Sequence, residues 1–221
     1  MSKTDQRFRR GQFSIVFVCL AVLTVSCGST GRTADADEPT NVPETARSSA
    51  EAANPDVALV DLDDADEVAA WTTVNDPVMG GLSTSRITFD DGLVFSGNLS
   101  LENNGGFASA QSPQNLDIGR RAGGATSLRV HAIGDGKTYV LKVGTAGQPW
   151  SYIQRFPTQA AVQRTYDLPV EGFQPVGMRL DPAPDAPQTL DPSSIDRVSV
   201  YILDKQQGPF ELTVSAIDAT A

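Results

Sequence analysis

The sequence has few of the residues that bind metals or serve as acid–base catalysts. Its 221 residues include 1 His and 2 Cys. A His/Cys metal centre needs about four such ligands, and histidine-based catalysis needs a histidine with placed partners. Basic residues are also scarce, since 17 Lys+Arg against 27 Asp+Glu give a formal net charge of -10. Nucleic-acid binders need cations to neutralise phosphates, so we expect no nucleic-acid partner.

Apolar residues, by contrast, are sufficient for one folded core. They make up 40% of a chain whose length suits one domain with extensions. The acidity is unevenly distributed, because residues 28–70 hold 11 of the acidic residues and 2 basic ones. The negative charge is therefore concentrated in the linker and the first stretch of the domain.

The N-terminus has the pattern of an export signal. A basic stretch that ends at Arg10 precedes an uncharged apolar run of 13 residues, 13–25. Such a run matches the hydrophobic region of a signal peptide and is too short to span a bilayer. It ends in Ser26-Cys27-Gly28 and resembles a bacterial lipoprotein signal, in which that cysteine is diacylated and becomes the mature N-terminus. We predict a signal peptide over 1–26, a lipid on Cys27 and a membrane-anchored location in the bacterial cell envelope.

The lipoprotein pattern has one departure, because Thr24 stands where the family prefers Leu. Soluble export and an uncleaved anchor are the alternatives. Cys19 would be removed with the signal and would leave Cys27 as an unpaired thiol in an oxidising compartment, which lipidation explains.

Residues 27–56 are predicted to be a flexible acidic linker, because their Ser, Thr, Ala, Pro, Asp and Glu residues cannot bury enough apolar surface to fold. Residues 57–221 follow the period of two that is typical of antiparallel strands with one wet face. Strand patterns occur at 58–60, 85–89, 93–96, 126–133, 138–143, 150–156, 198–202 and 210–216. The helical signal is restricted to 63–70, with Asp63 or Asp64 as its cap. The predicted fold class is an all-β sandwich.

Four ordered segments are distinctive: 71–83 with Asn75-Asp76-Pro77 and Gly80-Gly81, then 95–97, 103–109, and 204–210. Together they resemble the family of NADH:ubiquinone oxidoreductase complex I intermediate-associated protein 30, and the resemblance covers about 57–218. It implies a jelly-roll sandwich of the galactose-binding-like type and a protein partner, since mitochondrial members are assembly chaperones. One departure is Gln111, where members commonly carry Arg, and it puts any inherited ligand contact in doubt.

The loop residues of these segments have two interpretations, as structural turns or as ligand loops. Turn chemistry accounts for Asn75, Asp76, Gly80 and Gly81, because Asn and Asp side chains cap turns and glycine permits positive φ. The same interpretation is assigned to Asp204, Lys205 and Gln206 of the fourth segment.

The remaining polar candidates do not form a known catalytic or metal motif. The acidic cluster 61–67 lacks the glycine that an EF-hand loop needs at its sixth position. We predict no metal site and no cofactor, although calcium bound by backbone carbonyls leaves no trace in a sequence. His131 by itself cannot form a familiar triad. Glycoside hydrolysis by a pair of carboxylates is a further alternative, because it requires a particular distance between two carboxyl groups in space, which a sequence does not show.

The candidate binding surface is the segment around Trp150, Tyr152, Gln154 and Arg155. By alternation Trp150, Tyr152, Gln154 and Phe156 share one face of a strand. Facing outward, these aromatics can stack on sugars or dock a partner; facing inward, they are core.

Two functions follow from these features. The first is a non-enzymatic, lipid-anchored binding module with a protein partner and an assembly-factor or chaperone-like role. The alternative is a carbohydrate-binding envelope lipoprotein.

Overall fold

β-Strands dominate residues 56–221, the part of the chain that the computed structural model describes. The strands are β1 Val57–Asp61, β2 Thr72–Asn75, β3 Thr84–Phe89, β4 Leu93–Leu99, β5 Ala108–Gln111, β6 Ser127–Ile133, β7 Thr138–Thr145, β8 Ser151–Pro157, β9 Gln163–Pro169, β10 Gln174–Val176, β11 Ile195–Ile202 and β12 Gly208–Thr220. Two short α-helices, α1 Ala65–Ala69 and α2 Asp117–Ala122, and 3-10 turns connect them. The predicted signal peptide, Cys27 and most of the predicted linker lie outside the described residues.

The strands form two six-stranded sheets packed as a sandwich. In the first sheet the order is β3-β4-β12-β6-β9, and β1 pairs with the far end of β12. In the second sheet the order is β10-β8-β7-β11-β5-β2. The pairs between named strands are antiparallel. The predicted all-β sandwich is confirmed.

The core lies between the sheets and consists of the predicted alternating residues. Leu128, Val130 and Ala132 of β6 are buried, as are Tyr139 and Leu141 of β7. The predicted hairpin is also present, since β3 pairs with β4 across a turn at 90–92. The alternation of side chains with a period of two therefore predicted correctly which faces of these strands point to the core.

The outer face of the second sheet is partly apolar and covered, whereas the sequence pattern predicts a solvent-exposed polar face. Val140, Ile153, Val176 and Tyr201 project from it and form a separate buried apolar cluster. Phe107, Leu180 and Leu203 from loops beside the sheet pack against this cluster. Because loops shelter part of this face, polar side chains next to the cluster are also partly withdrawn from water.

The helices are peripheral. Helix α1 lies within the predicted segment, and the Asp64 carboxylate caps it by accepting a hydrogen bond from Asp66 N. The sequence patterns do not indicate α2, whose six residues are too few to show a helical period. Within residues 56–221 no helix has the length and apolar character needed to cross a membrane.

Candidate ligand-binding cleft

A cleft of about 320 Å³ lies on the outer face of the second sheet, beside the apolar cluster. This volume is at the lower end of the range for ligand pockets. Strands β5, β7 and β11 and the turn before β8 contribute its walls. The lining side chains include Gln111, Gln114, Lys142, Trp150, Asp196 and Arg197. The cleft is therefore mostly polar, with one tryptophan at its edge.

Strand register brings the two cations of the cleft together. Lys142 of β7 lies opposite Ser199 of β11, and Arg197 of β11 lies opposite Gly144 of β7. Residues that face each other across an antiparallel pair share one face, so Lys142 and Arg197 are diagonal neighbours on the outer face. Gly144 leaves room beside them, because a Cβ there would lie 3.3 Å from the Arg197 Cβ.

Among residues 56–221 these two cations lack anionic partners. Burial lowers the pKa of the Lys142 ammonium, and the nearby positive charge of Arg197 lowers it further. Neither side chain forms an ion pair with a carboxylate of residues 56–221. The Arg197 Nε is buried and has no hydrogen-bond acceptor there. The cleft therefore contains two repelling positive charges with unused donors.

One carboxylate also lines the cleft. Asp196 is 4% exposed, and its Oδ2 accepts a hydrogen bond from Gln114 Nε2. Its carboxylate is thus engaged with a neutral amide and not with either cation. Counting Lys142, Arg197 and Asp196 at neutral pH, the cleft has one net positive charge in a chain that is acidic overall.

The Tyr201 ring lies beneath the Lys142 side chain that lines the cleft. The Lys142 Nζ lies 5.4 Å from the centre of the Tyr201 ring, within range of a cation–π interaction. Gln111 Nε2 donates to the Tyr201 hydroxyl at 3.0 Å and to Ser109 Oγ at 3.1 Å. Burial raises the pKa of the Tyr201 phenol. Gln111, which replaces the arginine of the resembled family, thus helps to fix the base of the cleft.

A buried carboxylate positions the loop next to Tyr201. Asp76 is 0% exposed, and its oxygens accept hydrogen bonds from Ser83 N at 2.9 Å, Gly106 N at 2.6 Å and Phe107 N at 3.2 Å. The Ser83 hydroxyl donates to the same carboxylate at 2.5 Å. The Phe107 ring lies 6.4 Å from the Tyr201 ring. Asp76 therefore holds the segment that packs beside the base of the cleft.

The distinctive loop residues fit the structural interpretation. The Asn75 amide hydrogen-bonds with Ser85, and Gly80 has a φ of 91° at the end of the turn Asp76–Met79. A Cβ on Gly81 would lie 2.4 Å from the Asp76 carboxylate, so only glycine allows this approach. These residues build a corner and do not face the cleft.

The fourth distinctive segment, 204–210, also forms a turn. Arg155 binds Asp204 through two hydrogen bonds of 2.7 and 2.9 Å, and Asp204 and Lys205 have φ values of 64° and 59°. Gln206 accepts from Thr138 N at 2.9 Å and donates to Thr138 O at 2.7 Å. The side chains of Asp204 and Gln206 are thus occupied with holding the β11–β12 connection.

The structure divides the candidate binding surface of the sequence. Tyr152 and Phe156 are 2% and 1% exposed, and with Gln154 they face inward, opposite the buried residues of β7. Tyr152 does not belong to an exposed surface, because strand alternation places it in the core. Arg155 faces outward but is paired with Asp204. Trp150, which precedes β8, is the member that lines the cleft.

His131 lies on the outer face of the first sheet. Its Nε2 is 2.7 Å from Asp218 Oδ2, and the Thr165 hydroxyl is 3.0 Å from its Nδ1. This hydroxyl–imidazole–carboxylate series was not expected from the sequence. It reverses the order of the serine-protease triad, in which Nδ1 binds the carboxylate. Because the three residues lie on neighbouring strands β9, β6 and β12, strand pairing alone accounts for their contact.

The acidic cluster is a surface feature. Asp61 Oδ1 accepts from Asp63 N at 3.1 Å, and Asp64 caps α1. In the described part of the chain no group of three or more His, Cys, Asp or Glu side chains is placed to hold a metal ion.

Sequence analysis missed Lys142, Arg197 and Tyr201 as site residues. Lys142 and Tyr201 were recognised only as members of alternating strands, and Arg197 was not singled out. The available signal was a charged residue within an otherwise apolar strand, but the proximity of the two cations depends on the pairing of β7 with β11.

The comparisons with known proteins agree with this architecture. Residues 60–214 match the family model described as Complex I intermediate-associated protein 30 (CIA30). No curated protein matches significantly. Among solved structures, a family 11 carbohydrate-binding module of a cellulosomal cellulase of Clostridium thermocellum has a TM-score of 0.52 at 13% identity, covering 76% of this chain and 95% of its own. A family 11 module from Clostridium thermocellum, in complex with a beta-1,3-1,4-mixed-linked tetrasaccharide, has a TM-score of 0.51 at 13% identity over 74% of this chain and 94% of its own. At such identity these likenesses show a shared fold.

We predict that Asp76→Asn destabilises the protein by about 2–4 kcal/mol at pH 7, because an amide cannot accept all of these hydrogen bonds and places an NH₂ against donors. Burial by itself would raise the pKa of Asp76, but the hydrogen bonds from Ser83, Gly106 and Phe107 outweigh it, and the net pKa is lowered from 3.8. The stabilisation is therefore complete above about pH 4 and is lost as the pH falls through the lowered value.

Denaturant unfolding at pH 7 and between about pH 5 and pH 2 measures this difference. The matched control is Asp90→Asn, at an exposed aspartate in the β3–β4 turn. A destabilisation by Asp76→Asn no greater than that of the control would contradict the structural role of Asp76.

Proposed function

The chain belongs to the complex I intermediate-associated protein 30 family, and we propose that its domain is a non-enzymatic binding module that holds a saccharide in the cleft. The observation that carries the proposal is a tryptophan beside unpaired polar donors on a sheltered sheet face. Aromatic rings contact the apolar faces of sugars, and amides bind hydroxyl groups. Trp150 would supply the stacking surface, and the Gln148 amide and the amide oxygens of Gln111 and Gln114 would supply the hydrogen bonds.

The fold supports the same proposal. The similar module from Clostridium thermocellum is described in complex with a mixed-linked tetrasaccharide. A shared fold does not transfer a function, so the argument depends on the residues of the cleft. The Thr165–His131–Asp218 series is weaker support for catalysis, because strand pairing explains it and its ring nitrogens are engaged in the reverse order.

We also propose that the protein is anchored to a bacterial envelope membrane through Cys27. Each buried CH₂ contributes about 0.8 kcal/mol, so two or three acyl chains hold a protein without a spanning helix. The acidic segment 27–56 would separate the domain from the lipid surface. A saccharide of the envelope or its surroundings would then be within reach of the cleft.

We expect at least one polysaccharide in a broad panel to retain the protein in affinity electrophoresis. Trp150→Ala should weaken that binding about tenfold or more, because aromatic anchors dominate small interfaces. The matched control is Phe89→Ala, at an exposed aromatic residue on β3 of the other sheet. Retention by no saccharide, or equal binding by Trp150→Ala, would refute the proposed site.

Cys27→Ala should abolish metabolic labelling of the protein with a fatty acid and leave the unprocessed precursor, because the acylated thiol is missing. The discarded Cys19 provides the control, since Cys19→Ala should be labelled and processed normally. Labelling of the Cys27→Ala variant would exclude lipidation at this residue.

A protein partner is the second candidate function. The family description supports it, and so does the exposed apolar tip of the Asp76 loop, where Val78, Met79 and Leu82 are 72%, 61% and 51% exposed. Exposed apolar groups on a rigid loop are typical of interaction sites. Replacing all three by Ser should remove any specific partner recovered by quantitative crosslinking in membranes. Unchanged recovery with the variant would exclude this loop as the contact.

A further inference from the structure

We propose that the cleft selects an acidic sugar residue, one that carries a carboxylate or a sulfate ester, and that Lys142 and Arg197 bind this anionic group. The inference rests on the proposed saccharide-binding function and specifies the chemical class of the saccharide. It follows from the charges of the cleft, from their surroundings and from the polar groups that flank them.

The cleft differs from the rest of the domain in how its partly buried cations are paired. Arg129 and Lys137, the other partly buried cations of residues 56–221, each lie within ion-pair distance of a carboxylate, and the cations without such a partner outside the cleft are exposed. Lys142 and Arg197 have none among residues 56–221, although they are partly buried and repel each other. Burying unpaired charge is costly, and an anion placed between the two would offset both the desolvation and the repulsion.

The one carboxylate that lines the cleft does not neutralise these cations. Asp196 is directed to Gln114 and forms no ion pair with Lys142 or Arg197. The cleft therefore keeps its positive excess, even though the chain has a net charge of -10. A local positive site on an acidic protein attracts a single anionic group of a ligand that reaches it.

An aromatic ring and amide groups surround the two cations. Trp150 at the edge and the amides of Gln111 and Gln148 offer contacts that a free inorganic anion would not use. A pyranose uses all of them, since its ring stacks, its hydroxyl groups bind amides and its acidic substituent binds the cations. An acidic sugar therefore fits the cleft better than an isolated anion.

The test compares matched acidic and neutral saccharides on the full chain in detergent. Oligogalacturonate is paired with its methyl ester, and a sulfated galactan with its desulfated form, so that each pair shares a sugar backbone and differs at the acidic group. Calorimetric titration should show that at least one acidic form binds about tenfold or more tightly than its neutral counterpart. The pair that shows the preference identifies carboxylate or sulfate as the anion.

Lys142→Met and Arg197→Gln should each abolish this preference. Both variants should unfold at or above the wild-type temperature, because each removes a partly buried charge and its repulsion. Arg86→Gln is the control, since Arg86 is an exposed cation on β3 of the other sheet. It should keep the preference.

The results distinguish failure of the charge inference from failure of the proposed saccharide binding. If the neutral forms bind as tightly as the acidic forms, or if both cleft variants keep the preference, the charge inference is overturned and saccharide binding stands. If no saccharide of these pairs or of the broad panel binds, the proposed function and the inference both fail.

Discussion

The buried carboxylate of Asp76 is the interaction on which the site depends. It accepts hydrogen bonds from Ser83 on one side and from Gly106 and Phe107 on the other, and so joins two loops that are distant in sequence. Phe107 then packs beside Tyr201, which lies beneath the cleft. A single acid at a corner of the sandwich thereby helps to position the aromatic ring that lies beneath Lys142.

The cleft shows how a domain keeps unpaired charge without losing its fold. Lys142 lies over the Tyr201 ring, and this contact partly replaces the water that its ammonium has lost. Outside the cleft, Arg155 is neutralised by Asp204. Stability alone would favour a carboxylate beside Lys142 and Arg197 as well. Among residues 56–221, partial burial of two cations without a carboxylate partner is the feature that sets the cleft apart from the rest of the surface.

The sequence predicted the architecture better than the site. Inward faces follow from period two, because a residue such as Leu128 or Leu141 needs only to be apolar. Turn chemistry predicted a structural corner at Asp76, but not the hydrogen bonds that its carboxylate accepts from Gly106 and Phe107. The cleft depends instead on which strands become neighbours, and no local pattern states that β7 pairs with β11. Alternation also grouped Tyr152 with its neighbours without revealing which face was buried.

The central claim is that ligands bind on the outer face of the second sheet. The chain's two tryptophans separate the possibilities, since Trp71 is 5% exposed in the core and Trp150 lines the cleft. NMR titration with the acidic saccharide of the preferred pair, with indole signals assigned by Trp→Phe variants, tests this claim most directly. The account predicts that the Trp150 indole and the amides around Lys142 shift, while Trp71 does not. Shifts confined to the first sheet around His131 would contradict it.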